Sequence, residues 1–310
     1  MTDLVPPPGL AETVPGPTRD NVQLEASSEF VLTPSIQNLT DRALTYLGAG
    51  SAIHLSGTSG TGKTTLAFHI ASQLGRQVVM MHGDEELAGS DLTGRGSGYR
   101  RSRVVDNFIH SVIKTEDEIT TQWVDNRLTT ACQHGYTLIY DEFNRSRPEA
   151  NSALLSVLSE GILNLPRRLS GTGYVSVHPA FRAIFTSNTE EYVGVYTTQN
   201  ALMGRLVTIR VAHHDCETEV QIVCAKSGIA REDAEQIVDF ISQLRGPDGH
   251  EPSLRAAITL AKSLQYRNAH ATPDDPWFVW ACQDILGVPA AHAAKAARLS
   301  IQHNRKSARR

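Results

Sequence analysis

From about Val31 onward the apolar residues fall in short runs separated by longer amphipathic stretches, the texture of alternating strand and helix that builds a parallel sheet. The runs predict five strands, at Ala52–Leu55, Val78–His82, Thr137–Tyr140, Ala183–Thr186 and Val207–Val211. Amphipathic spacing between them predicts helices over Lys63–Leu74, Val105–Thr115, Thr121–His134 and Ala150–Leu158. After Asp215 the strand signals fade. Helices are expected there near Glu217–Lys226, Arg231–Leu244, Leu254–Tyr266, Trp277–Leu286 and Ala290–His303. Gly246-Pro247-Asp248-Gly249 and Pro273-Asp274-Asp275-Pro276 mark loops between them. Met1–Asp20 carries five prolines and few large apolar residues, too few to offset its chain entropy, so a disordered tail is expected. The expected layout is a Pro-rich tail over 1–25, an α/β nucleotide-binding domain over 26–213, a helical lid over 214–303 and a basic tail over 304–310.

Composition narrows the function classes. The chain has 310 residues with 40% apolar and 20% charged, ordinary for a soluble globular protein of more than one domain. A net charge of −4 argues against a dedicated nucleic-acid binder, whose footprint is strongly basic. Cys132, Cys216, Cys224 and Cys282 show neither CxxC pairs nor zinc-finger spacing and read as reduced thiols of a cytoplasmic protein. No apolar stretch is long enough for a membrane span and no secretory amino terminus is evident, so no membrane association is expected.

The chemistry begins at Gly57-Thr58-Ser59-Gly60-Thr61-Gly62-Lys63-Thr64, a GxxxxGK[ST] loop between an expected strand and an expected helix. Its glycines let the backbone curl so that N–H groups converge on the phosphates of a nucleotide, and the helix amino terminus favours the anion. Lys63 supplies a point charge to the phosphates, and Thr64 a hydroxyl to Mg²⁺. Further on, the apolar strand Thr137–Tyr140 ends in Asp141-Glu142. At a strand's end Asp141 can reach the Mg²⁺ shell while Glu142 polarises a water for attack on the γ-phosphate. Asn188, closing the later strand, is the candidate for orienting that water. No Asn-Lys-x-Asp motif for reading guanine appears, which favours ATP. The twelve histidines include one adjacent pair, His213-His214, read as loop residues, and no HExxH.

Phosphate loop, acid pair, Asn-ended strand and helical lid together resemble AAA+ ATPases, a P-loop fold with a parallel five-stranded sheet flanked by helices. The chain resembles one branch more closely, the gas vesicle protein GvpN family near the MoxR group. The segments that carry this resemblance include Gly98-Tyr99-Arg100-Arg101, Val104–Val112, Trp123-Val124-Asp125-Asn126-Arg127-Leu128, Tyr140-Asp141-Glu142-Phe143, Arg145–Asn151 and Phe181–Asn188 with Glu191-Tyr192. The resemblance implies that Asn188 is sensor 1, Arg205 an arginine finger serving a neighbouring subunit, and Arg255 sensor 2. Arg145 and Arg147 stand close enough to the acid pair to compete with Arg205 for the finger's role. It further implies a ring, a hexamer, with gas vesicle shell or accessory proteins as partners. A hairpin is expected around Gly171–Tyr174, and a client-facing insert over Glu85–Arg103, whose Arg100, Arg101 and Arg103 can meet an acidic surface. Two other readings stay open: a nucleotide-dependent structural switch or shell-associated component, and a general MoxR-like chaperone.

Overall fold

The computed structural model describes residues 30–86, 89–106, 114–125, 127–165, 173–188, 200–245 and 252–287. The expected amino-terminal tail, the helix over Ala290–His303 and the basic end lie outside them.

The chain opens with helix α1 (Pro34–Gly48), which has no counterpart among the expected helices. Thr33 precedes a proline whose fixed φ suits the first helical position. Ile36, Thr40, Ala43 and Leu47 then bury one face. Strand β1 (Ala52–Gly57), helix α2 (Lys63–Gln73) and strand β2 (Val78–His82) follow.

A short helix α3 (Gly89–Thr93) leads into β3 (Gly94–Asp106), which pairs antiparallel with β4 (Lys114–Asp125). This long hairpin corrects the two helices expected over Val105–Thr115 and Thr121–His134. Val105 and Thr115 are register partners in the ladder, and helix α4 spans only Arg127–His134. Ile119, Thr120, Thr121, Trp123 and Val124 are β-branched or aromatic residues that suit a strand, and all five have register partners in the ladder. Of the basic residues of β3, Arg103 lies opposite Asp117 in the register, while Arg100 and Arg101 lie opposite Thr120 and Ile119.

Strand β5 (Thr137–Asp141), a 3-10 turn at Phe143–Arg145 and helix α5 (Pro148–Glu160) come next. The small antiparallel pair β6 (Ile162–Asn164) and β7 (Tyr174–Ser176) is the expected hairpin, although Gly171 and Thr172 of that expectation lie outside the described residues. Strand β8 (Arg182–Asn188), helix α6 (Asn200–Met203) and strand β9 (Leu206–Arg210) complete the sheet-forming part. The remaining described elements are helices, as expected: α7 (Cys216–Ser227), α8 (Arg231–Leu244), α9 (Leu254–Arg267) and α10 (Pro276–Leu286).

The main sheet has five strands in the order β2-β5-β8-β1-β9, and every neighbouring pair is parallel. Alternation along each strand feeds two cores. Leu138, Tyr140 and Phe185 pack with Leu128, Cys132 and Leu154 on one face. Ile139, Ile184, Ile53 and Leu55 pack with α1 and α2 residues on the other. Helices α7 to α10 enclose a third cluster around Phe240, Leu260 and Phe278. No helix among the described residues is long and apolar enough to cross a membrane.

Candidate functional site

With all five strands parallel, their carboxyl ends share one edge, where open α/β sheets place their ligands. Because β8 lies between β1 and β5, the end of β8 faces both the phosphate loop and the acid pair. Gly57 at the end of β1 is the register partner of Asn188 at the end of β8. Asp141 at the end of β5 is paired with His82 at the end of β2.

The loop from Gly57 to Thr64 connects β1 to α2. Gly60 and Gly62 take φ values of +77° and +85°, a left-handed conformation that glycine adopts without steric cost. Ser59 is exposed at the tip, whereas Thr61 and Lys63 are buried. Thr61 Oγ1 donates to the Thr58 carbonyl at 3.1 Å. The Lys63 ammonium donates to the carbonyls of Gly57 and Thr58 at 3.0 and 2.6 Å, so its charge sits over the loop's hollow.

Thr64 Oγ1 donates to Asp141 Oδ1 at 2.8 Å, joining the start of α2 to the end of β5. Two hard oxygens at that separation match adjacent corners of an octahedron with bonds of roughly 2.1 Å, the geometry Mg²⁺ demands. Among the described residues no group of three or more His, Cys, Asp or Glu is placed to hold a metal ion. A cation here would therefore draw the rest of its shell from phosphate and water oxygens. Asp141 Oδ1 also accepts from Thr186 Oγ1 at 2.5 Å, and Oδ2 lies 3.6 Å from His82 Nδ1.

Glu142 has φ +51° and ψ +39°, a left-handed conformation uncommon for any residue but glycine. Three contacts hold it there. Its amide donates to Thr186 Oγ1 at 3.0 Å, Asn188 Nδ2 donates to its Oε1 at 3.2 Å, and Arg145 reaches its Oε2 at 3.0 Å. Beneath the turn, Tyr140 Oη lies 2.7 Å from Ser146 Oγ and 3.0 Å from Asn151 Oδ1, in a buried cluster. The Asp84 amide donates to Ser146 Oγ at 3.1 Å and so ties the end of β2 to the same turn. Burial pushes the Tyr140 phenol up to about 12, so it stays protonated and can donate to Asn151.

The remaining candidates separate. Arg255, at the start of α9, lines a cavity of about 370 Å³ together with Gly60, Thr61 and Gly62. That size suits a small-molecule site, roughly 300–1,000 Å³. Phe30, Leu66, Ile222 and Ile258 give the cavity apolar walls. Arg205 stands immediately before β9, at the amino-terminal edge of the sheet and away from its own phosphate loop. It contacts Ser159 Oγ and donates to the Ala201 carbonyl at 2.5 Å. Arg145 joins the site through Glu142, and Arg147 is an exposed residue at the start of α5.

Three contacts escaped the sequence reading. Thr186 bridges Asp141 and Glu142; its signal is a polar residue on the face of β8 shared with Asn188. Gly83 lies so close that a Cβ on it would fall 2.0 Å from the Glu142 carbonyl oxygen. His214, read as a loop residue, points Nε2 at the Thr61 carbonyl, 3.2 Å away.

Comparison with known proteins agrees with this fold. Residues 52–206 match the family model described as AAA domain (dynein-related subfamily). The chain is 45% identical over 261 residues to the gas vesicle ATPase GvpN of Ancylobacter aquaticus, covering 84% of this chain and 73% of that protein. It is 43% identical over 236 residues to the gas vesicle ATPase GvpN of Haloferax mediterranei, covering 76% and 68%. Among solved structures, the Thermotoga maritima RuvB Holliday junction branch migration motor aligns with a TM-score of 0.51 at 16% identity, over 84% of this chain and 73% of that one. At that identity the likeness shows a shared fold alone. With its matched domain, its relatives and its sheet order in agreement, the chain belongs to the GvpN family of gas vesicle ATPases.

Proposed function

We propose that this chain hydrolyses ATP, as a ring of its own copies, to drive the assembly or remodelling of gas vesicle proteins. The observation that supports this best is one continuous set of contacts: Thr64 to Asp141, Asp141 to Thr186, Thr186 to Glu142 and Glu142 to Asn188. It joins the start of α2 to the ends of β5 and β8, and in this reading supplies cation ligands, base and water-orienting amide to one site. A non-catalytic switch needs only the first half of that set.

In this reading the amides of Gly60 to Lys63 and the Lys63 ammonium bind the β- and γ-phosphates. Thr64 and Asp141 would hold Mg²⁺, which when bound neutralises charge that develops on the phosphate oxygens. Glu142 takes the proton of a water that Asn188 helps to orient, and the water oxygen attacks phosphorus in line with the leaving ADP oxygen. Arg255 reaches the same nucleotide from the lid. Arg205 faces away from its own site and serves the γ-phosphate held by the next subunit. The client is a gas vesicle shell or accessory protein; the relatives named gas vesicle ATPases support the gas vesicle link alone.

The test compares ATP hydrolysis and nucleotide binding in wild type, Lys63→Ala and Glu142→Gln, with size-exclusion chromatography in the presence and absence of ATP. Lys63→Ala should lose binding. Glu142→Gln should bind ATP yet turn over about 10²- to 10⁴-fold more slowly. A wild type that binds ATP without turnover, and assembles gas vesicles equally well as Glu142→Gln, would favour the switch instead.

A further inference from the structure

The connector between β9 and α7 runs alongside the phosphate loop. The Val211 amide donates to the Ser56 carbonyl at 2.8 Å, and a Cβ on Gly57 would lie 2.1 Å from the Val211 oxygen. Two residues on, His213 Nε2 stands 3.5 Å from Thr58 Oγ1, and His214 Nε2 stands 3.2 Å from the Thr61 carbonyl. The next residue, Asp215, caps α7 by accepting from the Thr218 amide at 2.9 Å and also accepts from Ser35 Oγ at 3.3 Å. The histidine pair therefore lies between the phosphate loop and the first helix of the lid.

We propose that His214 is a positioning residue for nucleotide binding, whose Nε2–H anchors the Thr61 carbonyl and so keeps the phosphate loop curled. The argument rests on the ATP-binding reading above. Where the Gly62 amide turns inward to a phosphate, the Thr61 carbonyl of the same peptide plane turns outward, and a buried carbonyl needs a donor. Thr61 is 2% exposed, and His214 supplies that donor. A carbonyl only accepts, so the proton must be on Nε2. Burial lowers the pKa of His214, against smaller opposing effects of the Thr61 contact, Glu219 and Asp215, which keeps the ring neutral near pH 7. Without the anchor the loop samples other conformations, and nucleotide binding must then restore the curled one.

The experiment titrates a fluorescent ATP analogue and measures steady-state hydrolysis in wild type, His214→Leu, His214→Gln and Lys63→Ala, with circular dichroism to check folding. His214→Leu removes the donor at similar volume and should weaken affinity and raise KM by about tenfold, with kcat within about twofold. His214→Gln restores an N–H donor and should return both to within about threefold of wild type. A structural role alone would not follow the donor. A wild type that binds while His214→Leu binds equally well overturns this inference and leaves the ATPase reading standing, and so does a His214→Gln as defective as His214→Leu. A wild type that binds no better than Lys63→Ala overturns both.

Discussion

Asn188 donates from Nδ2 to Glu142 Oε1 at 3.2 Å, joining residues 46 apart in sequence at the ends of β8 and β5. The contact exists because β8 is inserted between β1 and β5, so the end of the later strand arrives beside the acid turn. It places a neutral amide against the oxygen that receives a proton in the proposed mechanism. Replacing Asn188 with Ala should lower kcat by about 100-fold while KM stays within about twofold, as for loss of one preorganised donor. Steady-state kinetics read both parameters directly.

Arg145 holds the other carboxylate oxygen of Glu142, and both side chains are more than a third exposed. Such a pair adds little to stability in water. In the proposed mechanism its effect is on access, because the guanidinium occupies an oxygen that a water would otherwise approach. Arg145→Ala should leave the melting temperature within about 1 °C and raise basal turnover by about two- to fivefold. A fall in turnover, rescued by mixing with subunits that retain Arg145, would instead assign this arginine to a neighbour's site.

Gly83 has no room for a side chain. Its amide donates to the Asp141 carbonyl at 2.7 Å while its Cα faces the Glu142 carbonyl. A methyl group there meets backbone, which has no rotamer to yield. Gly83→Ala should destabilise the protein by about 1–3 kcal/mol and, by displacing Glu142, lower kcat by about 10²-fold. A denaturant midpoint and a kinetic assay measure the two effects on one sample.

His54 lies inside the sheet, with Nε2 2.8 Å from Ser187 Oγ and Nδ1 3.2 Å from Thr208 Oγ1. Burial first, and the nearby Lys63 charge second, depress its pKa from 6.5 to about 4. The unfolded chain therefore binds a proton between about pH 6.5 and 4 that the folded chain refuses, so this contribution is complete above pH 6.5 and lost as pH falls through 4. The loss is on the order of 3 kcal/mol. Urea midpoints taken from pH 7 to pH 4 should fall more steeply for wild type than for His54→Gln.

Much of this site was legible because its residues sit where local pattern and chemistry coincide. Each of the five expected strands matches an observed one with ends shifted by at most two residues, and the phosphate loop and acid pair lie at strand termini. The failures have physical causes. In Val104–Val112 apolar residues recur every three or four positions and imitate a helix, whereas the described flanks pair as a hairpin whose ladder outweighs that spacing. Thr121–His134 joined a strand and a helix into one, although Thr121, Trp123 and Val124 carried β propensity. Helix α1 was marked by Thr33-Pro34 and four regularly spaced inward residues. Gly83 and His214 had no such marks, since what distinguishes them is the approach of a distant backbone carbonyl.

The separation of Lys63 from Arg205 across the sheet makes each chain a two-ended object. A pair related by a twofold axis would place like ends together and leave the unlike ends unmatched. Copies that join one end to the other repeat in a single direction, and they stop only when the rotation per copy brings the last back to the first. If Arg205 serves the next copy as proposed, one inert copy in such a circle silences its own nucleotide and weakens that of one neighbour, on one side only.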